Sequence, residues 1–294
     1  MAPINIMSLR HSAFYAPLLV CIQGGFLKEE GLEPHYAVQT PERTVADTLH
    51  SGETHLAQSA VATSFAALEQ GRAIDVVHFA QINERDGFFL AGRGSDTAFD
   101  WSDLVGREVL VDHFFQPLAM FKYALQKKGI AFDTLKVIDA GDVAAIERAF
   151  RNGQGDFVHQ QGPAPQQLER DGLGRVVASV GAVIGPVAFS SLCARREWLQ
   201  TDMARAFMRA YRKARQFTID APAKQLAILL QALFPTIAPA VLTHTVQTYQ
   251  QLGCWTPDPV ISQAAYDTLL DVFIHSGMIS RRYPYQAAIV SPPV

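Results

Sequence analysis

One run of elements occurs twice in the chain, and this self-similarity restricts the fold more than any single motif does. "INIMSL" (Ile4 to Leu9) reads as a strand, "RHSAFYAP" as a loop, and the stretch from Ala13 to Gln23 as a helix, before "GGFLKEEGLEPHYAV". About 100 residues later the order returns: strand "REVLVD", loop "HFFQP", helix "LAMFKYALQKKG", then "IAFDTLKVIDA". Leu118, Phe121, Leu125 and Lys128 fall on one helical face, apolar except for the last, while Val109 to Val111 reads as a buried strand. The second halves match as well. "TVADTLHSGETHLAQSA" (Thr44 to Ala60) and "VAAIERAFRNGQGDFVHQQG" (Val143 to Gly162) both read helix, Gly, short strand, polar cluster. Gly52 and Gly153 stand just past their helices, where left-handed backbone is wanted.

Two such βαβαβ-type units imply an α/β protein of two lobes with mixed, mostly parallel sheets covered by helices. The segments Val76 to Gly94 and Gly185 to Leu199 read as the two crossings between them, which together make a hinge. The expected division is residues 1–88 with 189–294 as the first lobe and 89–188 as the second. From Gln200 onward the pattern is helical, and these helices are expected to buttress the first lobe. In parallel sheets ligands gather beyond the carboxyl ends of the strands. That rule selects Arg10, His11 and Ser12; Gln58 and Ser59; His113 to Gln116; and His159 to Gln161, all read as segments that follow their strands.

Composition narrows the partners. The chain has 294 residues, 18% of them charged, with a net charge of −3 and no lysine-arginine block. Its densest basic stretch, "RAYRKAR" (Arg209 to Arg215), interleaves charge with Ala and Tyr and reads as the solvated face of an amphipathic helix. No nucleic acid partner is expected. Three scattered cysteines, Cys21, Cys193 and Cys254, support neither a disulfide framework nor a zinc site, although one long-range bridge is open. No apolar run reaches the roughly 18 residues of a membrane helix. The first dozen or so residues lack the charged and apolar regions of a signal peptide. A leader replaced by a starting Met and a cytoplasmic protein are both open. Phosphate-loop, GxSxG, dinucleotide and HExxH motifs do not occur.

The strings "HSAFYAPLLVCIQGGFLKEEGLEPHYAV", "LHSGETHLAQSAVATSFAALEQG", "DLVGREVLVDHFFQP" and "IERAFRNGQGDFV" resemble type II periplasmic solute-binding proteins. The branch is that of nitrate, sulfonate, taurine and thiamine-pyrimidine-precursor binders, which also includes thiamine-pyrimidine synthases. The likeness runs from about Ile4 to Gln216. The lysine and sacrificial histidine of the synthases fall on Ser59 and Thr63 here, and their cysteine-rich run is reduced to Cys193 in "AFSSLC". The resemblance therefore implies a binder without cofactor rather than a synthase.

The candidate side chains are open to bland readings as well. His11 is open to three roles: general base, ligand donor, or surface residue at a helix start; no carboxylate is placed beside it for catalysis. Gln116 precedes Pro117 in the first turn of a helix, where free amides and the dipole favour an anion or carbonyl. Of Phe14 and Tyr15, and of Phe114 and Phe115, one each is expected at the cleft, because adjacent residues do not share a helix face. Gln58, Gln81, Asn83, Gln116, Gln160 and Gln161 offer paired donors and acceptors that suit a heterocycle or amide. Asp112 either answers a ligand amine or orients His113, while Asp139 with Gly141 and Asp142 reads as turn and cap chemistry.

The expectation is a monomeric, non-enzymatic solute-binding protein that closes on a small aromatic or heterocyclic ligand and delivers it to an ABC transporter permease. A sulfonate or carboxylate at Gln116 is the second choice. Its ligand-binding set is Arg10, His11, Ser12, Tyr15, Gln58, Ser59, Gln81, His113, Phe114, Phe115, Gln116, His159, Gln160 and Gln161, with no catalytic residue and no metal. The location is periplasmic or membrane-associated if a leader was removed, otherwise cytoplasmic. The rivals are a cytosolic enzyme on the same scaffold, either a pyrimidine-synthase relative or an aromatic-acid decarboxylase, and a cytosolic ligand sensor.

Overall fold

A computed structural model describes residues 1–94 and 98–294. Among the described residues ten strands run in chain order: β1 (Ala2–Ser8), β2 (Leu32–Val38), β3 (Leu56–Ser59), β4 (Val76–Asn83), β5 (Phe88–Gly92), β6 (Glu108–Val111), β7 (Lys136–Ile138), β8 (Phe157–Gln161), β9 (Arg175–Ser179) and β10 (Ser190–Arg195). They form two five-stranded sheets, ordered β2-β1-β3-β10-β4 and β7-β6-β8-β5-β9. The repeat is exact in topology: β2-β1-β3 and β7-β6-β8 are the parallel triplets, and each is extended by two antiparallel pairings. In the first sheet β10 lies between β3 and β4, so the strand that arrives after the second crossing fills a place inside the first lobe. The crossings themselves are the short segments between β4 and β5 and between the Val180–Ile184 helix and β10.

The glycines after the helices behave as their spacing predicts. Gly52 has φ 77° and Gly153 φ 95°, left-handed values that a side chain would strain. The polar clusters need a correction. Gln58 and Ser59 are the last residues of β3, and His159 to Gln161 lie inside β8 rather than after it. The runs stay in register because the neighbouring strand holds their backbone, pairing Ser8 with Gln58 and Val111 with His159.

One apolar cluster extends from Ile4 and Phe14 in the first lobe through Phe88 and Phe189 at the crossings to Val111 and Phe121 in the second. The C-terminal helices do more than buttress the first lobe. Asp202–Asp220 packs on Ala16–Gln23, but Gln263–His275 also reaches the Phe115–Lys127 helix of the second lobe, where Phe273 meets Phe115 at 4.9 Å between ring centroids. The solvated-face reading of "RAYRKAR" is corrected for its last residue. Arg209 and Lys213 pair with Glu30 at the surface, whereas Arg215 is fully buried. Its guanidinium donates to the carbonyls of Gln81, Ile82 and Thr256 and to the Tyr211 hydroxyl, which ties the end of β4 to the Cys254–Thr256 turn. All three cysteines are free and buried. No helix among the described residues is long and apolar enough to cross a membrane.

Candidate functional site

The site begins where β1 ends. Gln58, at the end of the adjacent β3, uses its side-chain oxygen to accept the N–H groups of Leu9 (3.1 Å) and Arg10 (3.3 Å). This fixes the loop so that Arg10 reaches the other lobe. Its guanidinium donates to both oxygens of Asp112, at 2.7 and 3.3 Å, and lies 4.5 Å from the centroid of the Phe114 ring. Asp112 also accepts the N–H of Phe114 at 2.9 Å, which places a carboxylate just before the Phe115–Lys127 helix without capping its first turn. Asp112 thus serves Arg10 and not His113, whose Nδ1 lies 2.8 Å from the Val111 carbonyl and 3.8 Å from Asp139. Asp139 and Asp142 do the turn and cap work expected, accepting Gly141 N and Ala145 N.

Three further bonds join the lobes. The Ser12 hydroxyl caps the short helix at Phe14 and donates to Gly162 O at 2.8 Å. Tyr249 accepts Gly162 N and donates to Gly87 O, each at 2.9 Å. Gln116 donates to Phe189 O at 2.7 Å. The lobes are therefore closed on one another, leaving a cavity of about 380 Å³ lined by Arg10, His11, Ser12, Asp112, Gln160 and Gln161 together with Phe234 and the loop that follows it.

His11 sits on the exposed rim. It stacks on Phe234 with centroids 4.5 Å apart, and its nitrogens lie 3.1 Å from the Tyr36 hydroxyl and 2.9 Å from Leu233 O. Tyr15 and Phe14 are both buried; Phe14 packs against Phe189 and Tyr249. Of the other pair, Phe114 is exposed beneath Arg10 and Phe115 packs on Phe273. Ser59 meets Thr63 at 3.3 Å. Gln81 lies fully buried in β4, and Asn83 donates to Phe14 O. The cavity thus gathers Arg10, His11, Ser12, Gln160 and Gln161, while Tyr15, Gln58, Ser59, Gln81, His113, Phe114, Phe115, Gln116 and His159 stand outside its lining.

At the lining and deeper in the interior lie buried polar atoms without partners. Both nitrogens of His159, both amide atoms of Gln81 and of Gln160, Gln116 Oε1 and Asp86 Oδ2 accept or donate nothing. His159 is sandwiched between Phe88 and Phe121, each at 4.7 Å, and burial pushes its imidazole down to about 3. Asp86, in the first crossing, is pushed up to about 7 by burial, against the N–H it accepts from Phe88. Burial also raises Tyr15, opposed by Arg10 and by the Gln161 side chain. A buried polar atom without a partner costs roughly 1–3 kcal/mol, and such atoms in a native chain mark places completed by water or by a ligand.

Asp86, Phe234 and Tyr249 were not foreseen as site residues. Only Phe234 carried a signal, the "FPTIAP" break between two helices. For other chemistry the residues are poorly placed. Burial raises the thiols of Cys21, Cys193 and Cys254, which makes them weak nucleophiles. Among the described residues no three His, Cys, Asp or Glu side chains gather to hold a metal.

The family described as "NMT1/THI5 like" matches residues 13–225. The chain belongs to the NMT1/THI5-like family. Within reach of this NMT1/THI5-like chain, a Bacillus subtilis (strain 168) protein named "Putative binding protein YtlA" is 29% identical over 290 residues, covering 97% of this chain and 87% of that one. Among solved structures, the alkanesulfonate-binding protein SsuA from Xanthomonas axonopodis pv. citri, bound to MOPS, superimposes with a TM-score of 0.75 at 16% identity over 99% of each chain. The desulfurization enzyme DSZB superimposes with a TM-score of 0.69 at 10% identity, over 99% of this chain and 97% of its own. The two-lobed periplasmic-binding-protein fold is therefore common to binders and to an enzyme.

Proposed function

We propose that the protein is a solute-binding protein whose lobes close on a small organic molecule and present it to an ABC-type importer from the extracytoplasmic side. The supporting observation is the cavity between the two repeats, bridged at its margin by Arg10–Asp112 and Ser12–Gly162. Contacts that exist only between closed lobes convert ligand binding into a population shift toward closure. The preferred ligand is aromatic or heterocyclic: Phe234 offers a ring face at the cavity, and Gln160 and Gln161 offer amides. YtlA, also called a binding protein, and SsuA, which binds an alkanesulfonate, lend support at the level of the relatives. A sulfonate or carboxylate at the helix start near Gln116 is the weaker choice, because the Asp112 carboxylate, bonded to Phe114 N, stands just before that helix and would repel it.

The enzyme reading draws on the fold shared with DSZB. Against it stand three buried cysteines and a His11 whose ring atoms face Tyr36 and Leu233 rather than a nucleophile. A thermal-shift screen over pyrimidines, aromatic acids, sulfonates and amines tests the proposal. A ligand at 100 times its dissociation constant should stabilise the fold by about 2.7 kcal/mol. Product released from an aromatic acid during the same incubation would favour the enzyme, and silence from every class would defeat the binder.

A further inference from the structure

The two repeats place opposite charges just past equivalent strands. Arg10-His11 follows β1, and Asp112-His113 follows β6, the strands at the centre of the two parallel triplets. The residues are 102 apart in sequence yet meet in the closed form as a two-bond ion pair, with side chains only 20% and 6% exposed. The remaining acid at the cavity, Glu147, is held at 2.8 Å by Arg151. Among the described residues of the lining, the one arginine is thus already paired, with Asp112.

This inference rests on the proposed binding function. We infer that Arg10 and Asp112 make the site selective for solutes of zero net charge, either uncharged or carrying one positive and one negative group, and that they exclude simple monoanions. A monoanion that draws Arg10 to itself strands Asp112, a nearly buried carboxylate, without its partner, and an unpaired buried charge is strongly unfavourable. An uncharged amide leaves the pair intact. A zwitterion replaces it, its anionic group on Arg10 and its cationic group on Asp112, so no charge is left alone. Phe114, exposed beneath the Arg10 guanidinium, offers an alternative resting place for that cation when a ligand parts the pair.

The test uses three probes on one ring: benzamide, benzenesulfonate and 4-(aminomethyl)benzenesulfonate, titrated by calorimetry and thermal shift into the full chain. Wild type should favour benzamide or the zwitterion over benzenesulfonate by about tenfold or more. Asp112→Asn, which frees Arg10 while keeping the shape and the bond to Phe114 N, should gain benzenesulfonate affinity by about tenfold. Adding Arg10→Gln to that variant should erase the gain, which separates an unpaired guanidinium from merely loosened packing. The inference is overturned if wild type prefers benzenesulfonate, if Asp112→Asn fails to gain it, or if the double variant keeps the gain. Silence from every class in the broader screen defeats the binding function itself, a different failure from a reversed order of charge preference.

Discussion

Arg215 and His159 are both polar side chains shut away from solvent, one in each lobe, yet they are opposites. Arg215 has its guanidinium filled with carbonyls and two hydroxyls from β4, the Asp202–Asp220 helix and the turn before Asp258. His159 has two flat apolar neighbours and no partner for either nitrogen. A buried charge that is fully bonded holds elements together, and removing it leaves several orphan carbonyls behind. A buried ring without hydrogen bonds is held by stacking alone, here between Phe88 and Phe121. Its strand neighbours Gln160 and Gln161 line the cavity, so a role for His159 in the proposed binding is the contrast to test.

The comparison can be broken in four ways. Arg215→Met should destabilise by about 3–5 kcal/mol in urea unfolding, with ligand affinity unchanged in the fraction that folds; a loss under 1 kcal/mol, on the order of a surface change, would remove its structural role. Asp86→Asn tests the buried group at the crossing. The native carboxyl keeps its proton up to about 7 while the unfolded chain releases it near 3.8, so stability falls as pH rises between those values. The variant should therefore be more stable by about 4 kcal/mol at pH 8, should lose that advantage by pH 4, and should retain the bond to Phe88 N. His159→Leu should shift stability by less than about 1 kcal/mol at pH 7 yet weaken ligand binding by about tenfold, or 1.4 kcal/mol. Because burial holds His78 and His159 near 3 against an ordinary 6.5, both give stability at neutral pH that is lost as pH falls toward 3, and the Leu variant should flatten that loss. A His159 variant that loses several kcal/mol of stability, on the order of the Arg215 effect, yet binds normally in the fraction that folds would reverse the comparison. The smallest effect concerns the cysteines: a thiol reagent should titrate none in the native protein and all three in denaturant.

What the sequence revealed followed from local rules. Strand, loop, helix and glycine repeat in order, so the two parallel triplets and the caps at Gly52 and Gly153 were readable from pattern alone. Partners set by the tertiary fold were not. "RAYRKAR" looks solvated because its period is amphipathic, and nothing local says that Arg215, at the far end, turns toward carbonyls of β4. Asp112 was open to a ligand amine or to the next residue, His113, but its partner in the structure comes from the other repeat. His11 and His113 hold matching places in the repeats, yet each finds its hydrogen-bond partners within its own lobe. Gln58 was selected as a ligand contact; its oxygen is already engaged by the backbone that aims Arg10.

The position of β10 sets an order of events during synthesis. Residues of the second sheet are contiguous in the chain, so that lobe has every strand it needs once β9 has left the ribosome. The first lobe does not. Although its first four strands emerge earliest, β3 and β4 are held apart by a gap that only Ser190–Arg195 fills. Until then each presents an open edge, the kind of surface that invites pairing with the wrong chain. The part of the protein made first is thus completed last, and a nascent chain stalled before Ser190 carries a finished second lobe attached to an unfinished first one.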